Sequence, residues 1–308
     1  MTEVERIINK GILPKGFLKE EIRCDFFVDE KRKKLWAVEI DLLVEFDRVC
    51  KKHDLKYFLT GGSLLGAVRH NGSIPWDDDI DVAMFRSDYE KLMALSDEFK
   101  YPYFLQTPYT DKGYYFSYAK IRNSKTTGLS IPFAYQGINQ GIPIDIFPLD
   151  NCMVEDVEER YNKINYLILQ NSICMRLSCP NPNDIDKKRI ATYNGRNPME
   201  MYEEMQQIAK QYENCQCDKI NTAVCTAYKP QKLMWDKKDW EETIMCKYEN
   251  YMFPIPKGYD NILKVQFGDY TKYPPAEERG QWHNNAIFDA DIAYTDYIKT
   301  FLEESKQK

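Results

Sequence analysis

Asp79 and Asp81 stand two residues apart in Asp79-Ile80-Asp81-Val82-Ala83-Met84-Phe85. Read as a strand, this run points both carboxylates to one face and Ile80 to the other. Two hard oxygen donors on one face suit Mg2+ or Mn2+. Upstream lies Gly61-Gly62-Ser63. Glycines let an anion approach the main chain closely. A helix that starts there adds N–H groups and the positive end of its dipole. Arg69, toward the far end of that short helix, supplies a fixed positive charge, and His70 beside it is a further candidate phosphate contact. Turn, carboxylate pair and arginine together predict a clamp for a diphosphate. Asp77 and Asp78 extend the acidic run and would orient the ligands from behind.

The elements that must hold these groups are legible in outline. Leu35, Val38, Leu42, Phe46 and Val49 recur every three or four residues, which predicts a helix from about Lys31 to Asp54. Tyr57–Thr60 reads as a short strand broken by Gly61-Gly62. Ser63 is the expected cap of a helix from Leu64 to about His70. A turn at Asn71-Gly72-Ser73 leads to the strand Asp79–Phe85, and a helix to Phe99 follows. Tyr103–Gln106, Tyr115–Arg122 and Ile142–Phe147 are further strands. Residues 1–30 read as a loosely structured lead-in, and residues 31–150 as an α/β (α+β) core around a mixed sheet. Residues 151–308 read as a mainly helical extension with a few strands. Its helical patterns lie at 153–177 and 197–213, with a mobile link near 178–196. Thr243–Pro256 is expected to hold strands, and Tyr259–Phe267 a helix closed by Gly268.

Composition narrows the function classes. The chain has 308 residues, 43% hydrophobic and 29% charged, which is enough apolar content for a packed core and excludes wholesale disorder. Its net charge of −6 argues against a general nucleic-acid binder, which carries a basic footprint. No apolar run is long enough for a membrane span. The N-terminus lacks the apolar region and cleavage site of a signal peptide, so a cytoplasmic location is expected. Cys215-x-Cys217 with Cys225 lacks the paired CxxC and nearby His of a zinc site.

The segment Thr60–Phe85, TGGSLLGAVRHNGSIPWDDDIDVAMF, resembles the signature of the LicD family of phosphotransferases, to which fukutin-type transferases are similar in the same core. Gly141–Asp150, GIPIDIFPLD, is similar to a second block of that family. Phe267–His283, FGDYTKYPPAEERGQWH, is similar to a third, except that His283-Asn284 stands where paired histidines are common.

The resemblance implies a nucleotidyltransferase-like mixed sheet. It implies that Gly62-Ser63 is the phosphate turn, that Asp79 and Asp81 are the metal pair, and that Asp145 is the third carboxylate. Asp145 sits in an otherwise apolar strand, where an acid is costly unless paired or bound to a metal. It also implies a CDP-linked donor, with CDP-choline the best-known, and a cell-surface glycan or glycolipid acceptor such as lipopolysaccharide or teichoic acid. CMP would leave, and any membrane contact would be peripheral, at the inner face. Arg69 would stabilise the transferring group, and Asp145 would complete the metal site or take the acceptor's proton. Glycerol phosphate and ribitol phosphate remain alternative head groups. A choline donor would favour an aromatic cage, for which Trp76, Tyr114, Tyr115 and Trp282 are available. His283, Asp269 and Arg279 are further candidate contacts, whereas His53 is expected at the C-terminus of the first long helix, facing solvent. Two rival readings stay open: a nucleotidyltransferase that moves NMP from an NTP and releases pyrophosphate, and a non-catalytic glycan-assembly partner that keeps the fold.

Overall fold

In the computed structural model, which describes residues 1–225, 228–280 and 286–305, the predicted long helix is α2. The lead-in before it is ordered rather than loose. Thr2 and Glu5 form a capping box that starts α1 (Glu3–Asn9). Val4 and Ile7 are buried, and Arg6 reaches the buried Asp41. β1 (Glu21–Arg23) and β2 (Phe26–Val28) form a hairpin whose turn holds Cys24 and Asp25 at positive φ. These elements are too short to show a period in the sequence; tertiary contacts order them. α2 (Glu30–Lys52) begins on Asp29, whose carboxylate accepts the Arg32 N–H at 2.8 Å. Its face of Trp36, Val38, Leu42, Phe46 and Val49 enters the main core.

The core sheet follows. β3 (Phe58–Leu59), α3 (Gly61–His70), β4 (Asp81–Phe85) and α4 (Arg86–Met93) come next, then β5 (Tyr103–Gln106), β6 (Ala119–Asn123), β7 (Thr127–Ser130) and β8 (Ile142–Cys152). β8 is the central strand, and β4 runs parallel to it on one edge. The other edge pairs antiparallel with β6 along its first half and with a later strand along its second. β3 closes one side of the sheet and β5 extends β6. Ile80, Val82, Met84, Ile142, Ile144 and Ile146 are all buried, which accounts for the apolar character of both strands.

Four expectations need correction. β4 begins at Asp81, so Asp79 lies in the extended segment before it. β6 begins at Ala119 rather than Tyr115, because Tyr114 is drawn inward and its hydroxyl donates to the Tyr118 carbonyl at 2.8 Å. α4 ends at Met93 rather than Phe99 and is followed by a short 3-10 turn, Ser96–Glu98. Thr60, not Ser63, stands at the N-cap of α3.

Beyond β8 come α5 (Val157–Arg176), α6 (Asp184–Ile190), α7 (Pro198–Ala209), β9 (Lys219–Asn221) and β10 (Met234–Asp236). β9 and β10 continue the core sheet. Ile164, Leu167, Met201, Tyr202 and Met205 form a smaller core between α5 and α7. The segment expected as a link contains α6, tied to α5 by Arg176–Asp186 at 3.2 Å and by Gln170 to the Thr192 carbonyl at 3.2 Å. α8 (Lys238–Glu241), the hairpin β11 (Thr243–Tyr248) and β12 (Tyr251–Pro256), α9 (Tyr259–Phe267), β13 (Ala286–Asp289) and α10 (Tyr294–Ser305) complete the chain. α9 ends at Gly268 in the left-handed region, as its sequence predicts. β13 pairs with β7. Among the described residues, no helix is long and apolar enough to cross a membrane.

Candidate active site

The turn before α3 meets the start of β4 from above. Thr60 donates its N–H to the Asp81 carbonyl at 3.1 Å. Ser63 is buried, and its Oγ accepts the Asp81 N–H at 2.8 Å. The serine thus pins the strand that carries the carboxylates. Gly61 has φ +54°, and a Cβ there would stand 3.2 Å from Asp81 Oδ2. A Cβ on Gly62 would stand 2.5 Å from Asp77 Oδ2. Gly61 is favoured by its left-handed φ, and Gly62 by the Asp77 carboxylate that presses on the turn.

Register brings the carboxylates together. Asp81 on β4 lies directly across from Asp145 on β8, and Asp145 lies across from Lys120 on β6. The Lys120 ammonium is ion-paired with Asp145 Oδ1. Asp79 joins the group from the segment before β4, not by strand alternation. Desolvation, followed by the charges of Asp79, Asp145 and Asp77, pushes the Asp81 carboxyl well above the usual carboxylate range. Burial pulls the Lys120 ammonium below its usual range, against the opposing pull of Asp145. Asp78 is buried beneath the turn, and its N–H donates to Asp77 Oδ1 at 3.2 Å. From α2, Arg32 and Trp36 both donate to the Asp77 carbonyl, at 2.6 and 3.2 Å, and fix the loop from behind.

Among the described residues, no three His, Cys, Asp or Glu side chains form a ready-made metal cage. The chemistry of the donor set nonetheless suits a hard divalent cation. Asp79, Asp81 and Asp145 crowd one end of two parallel strands, and their mutual repulsion is what a cation would relieve.

The other predicted residues stand elsewhere. Arg69 follows Gly61 by eight helical residues, about 12 Å along the axis. Its Nη1 donates to the carbonyls of Tyr270 and Lys272 at 2.8 and 2.9 Å, and its Nε donates to His70 Nε2 at 2.9 Å. It ties the third sequence block to α3 and is not brought to the turn. His70 stacks on Tyr273 at 5.4 Å between ring centroids. Burial, Arg69 and Arg23 pull its imidazole down to about 4. Trp76 is buried, and the Arg279 guanidinium lies 4.8 Å over its ring. Tyr114 is fully buried, and Tyr115 packs against the small cluster around it. Trp76 and Tyr114 therefore do not line an open aromatic cage. Trp282 and His283 lie outside the described residues. Asp269 belongs to a surface turn with Thr271 and Lys272, and His53 lies 3.0 Å from Glu98.

Three side chains near the site were not singled out from the sequence. Lys120 had a signal: it and Arg122 are two like charges that alternate with Ala119 and Ile121 in a predicted strand. Gln266 on α9 is buried with its Oε1 unpartnered, and its Nε2 comes 4.0 Å from where a Gly61 Cβ would be. Tyr228, partly exposed, feels the charges of Asp81, Asp77 and Asp79. Neither of these two carries a local motif.

Comparison with known proteins accords with this geometry. Residues 54–167 match the profile of the LicD/FKTN/FKRP nucleotidyltransferase domain. The chain is 28% identical over 249 residues to the lipopolysaccharide cholinephosphotransferase LicD of Haemophilus influenzae, covering 79% of this chain and 92% of that protein. It is 53% identical over 34 residues to the ribitol 5-phosphate transferase FKRP of Mus musculus, covering 11% of this chain and 7% of that one. The glycine turn, the facing carboxylates and these matches agree: residues 54–167 are similar to the LicD/FKTN/FKRP nucleotidyltransferase domain, and the chain is similar along most of its length to a transferase of a substituted phosphate group.

Proposed function

We propose that this protein transfers phosphocholine from CDP-choline to a hydroxyl of a cell-surface glycan and releases CMP. The observation that carries the reading is the facing of Asp81 and Asp145 beneath a glycine turn. The choice of choline rests on the activity for which the Haemophilus influenzae relative is named, a protein that aligns along most of its length. Lipopolysaccharide is the acceptor named for that relative, and a lipid-linked glycan would be met at a membrane face.

The chain's residues would act as follows. Gly61, Gly62 and the N-terminal N–H groups of α3 receive the donor's diphosphate. Ser63 keeps β4 in place beneath it. Asp79, Asp81 and Asp145 would hold Mg2+ or Mn2+, which would supply positive charge to the diphosphate and to the departing CMP. The acceptor oxygen forms a bond to the choline-bearing phosphorus, the bond from that phosphorus to CMP oxygen breaks, and the hydroxyl proton passes to Asp145 Oδ2. Most of the acceleration comes from positioning and electrostatics.

A nucleotidyltransferase reaction is the second reading, favoured by the description of the matched domain. One screen separates the two. Purified protein is given CDP-choline, CDP-glycerol, CDP-ribitol or CTP with Mg2+ or Mn2+, and CMP and pyrophosphate are followed. CMP from CDP-choline, abolished in the Asp79→Asn/Asp81→Asn double variant, is expected. Pyrophosphate from CTP would instead support the second reading. Failure of every donor to bind would revive the non-catalytic partner.

A further inference from the structure

Lys120 is a cation placed among acids. Its ammonium pairs with Asp145, the strand partner of Asp81. Its Nζ lies 5.1 Å from the Tyr118 ring centroid and 5.7 Å from that of Phe116. Tyr118 in turn packs at 4.3 Å on Phe147 of β8. The amine is thus held at the sheet end, with aromatic faces beside it and a carboxylate before it. The surroundings hold Asp77, Asp79, Asp81 and Asp145, and a donor entering them brings further negative charge. A fixed cation within reach of the transferring phosphate is what such a pocket needs. Arg69, the cation that the sequence suggests, is engaged with backbone carbonyls at the other end of α3.

We propose that Lys120 is the phosphate-holding cation of this site, its ammonium changing partner from the Asp145 carboxylate to a phosphoryl oxygen of the donor. In the free protein Lys120 occupies the charge of Asp145 and keeps the pair folded. In the complex the same ammonium binds the donor, and Asp145 is released toward the reacting groups. No bond to phosphorus is made by the lysine; one ion pair replaces another. This inference rests on the reading of the protein as a user of a diphosphate donor.

The test is calorimetric and does not need turnover. Wild type, Lys120→Met and Lys120→Arg are titrated with CDP-choline and CDP-glycerol in EDTA, and separately with Mn2+ in the absence of nucleotide. Circular dichroism and a thermal melt establish that each variant folds. The Met variant is expected to bind the donor about ten- to a hundredfold more weakly in EDTA, the range of one charge-assisted hydrogen bond. The Arg variant, which keeps the charge, is expected to recover much of that loss. Without nucleotide, the Met variant is expected to bind Mn2+ more tightly, because a competing cation is gone from Asp145. A folded Met variant that binds the donor as wild type does would overturn the proposal. Unchanged Mn2+ affinity together with a donor loss that Arg fails to recover would overturn it too, leaving Lys120 a structural counter-ion. Wild type that binds neither donor, in EDTA or with Mn2+ present, would instead sink the donor reading, a distinguishable failure.

Discussion

At the residue scale, the site depends on how closely acidic groups approach a glycine turn. Replacing Gly62 with Ala sets a methyl 2.5 Å from Asp77 Oδ2, so Asp77 must swing away or the turn must open. The variant should lose about 1–3 kcal/mol in denaturant unfolding, the usual cost of overpacking, together with most of its donor binding. Gly280→Ala, where a Cβ meets nothing within 4 Å, should change neither. His70 makes a different prediction, through pH. Its imidazole is held neutral and titrates near 4, against 6.5 in the unfolded chain. Between these values the unfolded state binds more protons. Stability should therefore rise with pH from about 4 to 6.5 and lose this contribution as acid is added. His70→Phe should flatten that part of a melting-temperature profile; a profile of unchanged slope would show that His70 is not its source.

At the scale of elements, one buried ion pair connects the sheet to the helices beyond it. Arg86, at the start of α4, grips Asp150 of β8 through Nε and Nη2 at 2.6 and 2.7 Å. Its Nη1 donates to Gln206 of α7 at 2.9 Å, and Gln206 donates to the Ser117 carbonyl at 2.8 Å. Neither charge is exposed, and removing Arg86 strands the Asp150 carboxylate, whereas Arg86 keeps a contact with Glu90 at 3.4 Å. Arg86→Met should cost about 3–5 kcal/mol. Urea unfolding of the paired Arg86→Met/Asp150→Leu variant should be milder than that of the single one, since no charge is then stranded.

At the scale of the whole molecule, the two ends of the chain are built onto the core. α1 buries Val4 and Ile7, and Arg6 neutralises Asp41 inside α2. β13, late in the chain, adds to β7, and Lys34 of α2 meets Asp291 at 2.8 Å. Removing residues 1–10 takes away the burial of Val4 and Ile7, worth about 3–6 kcal/mol together, and leaves Asp41 without its arginine. A marked fall in melting temperature is expected, read by calorimetry with Asp79, Asp81 and Asp145 untouched. A truncated chain that melts with the full one would refute the role given to α1.

The linear order of residues was sufficient for the turn, the acidic run and the alternation of helix and strand. Those are local properties: a glycine pair, a period of three to four in α2, an apolar run in β4 and β8. The resemblance to the LicD family followed from the same contiguous stretch. Tertiary structure decided what depends on pairing between distant segments. It set Asp145 opposite Asp81 and Lys120 opposite Asp145 by strand register, which no spacing along the chain encodes. It drew Arg69 away to the carbonyls of residues 270 and 272, and buried Trp76 under Arg279. It also ordered the first thirty residues, whose elements are too short to be stable alone and exist because α2 offers them an apolar face and a buried carboxylate.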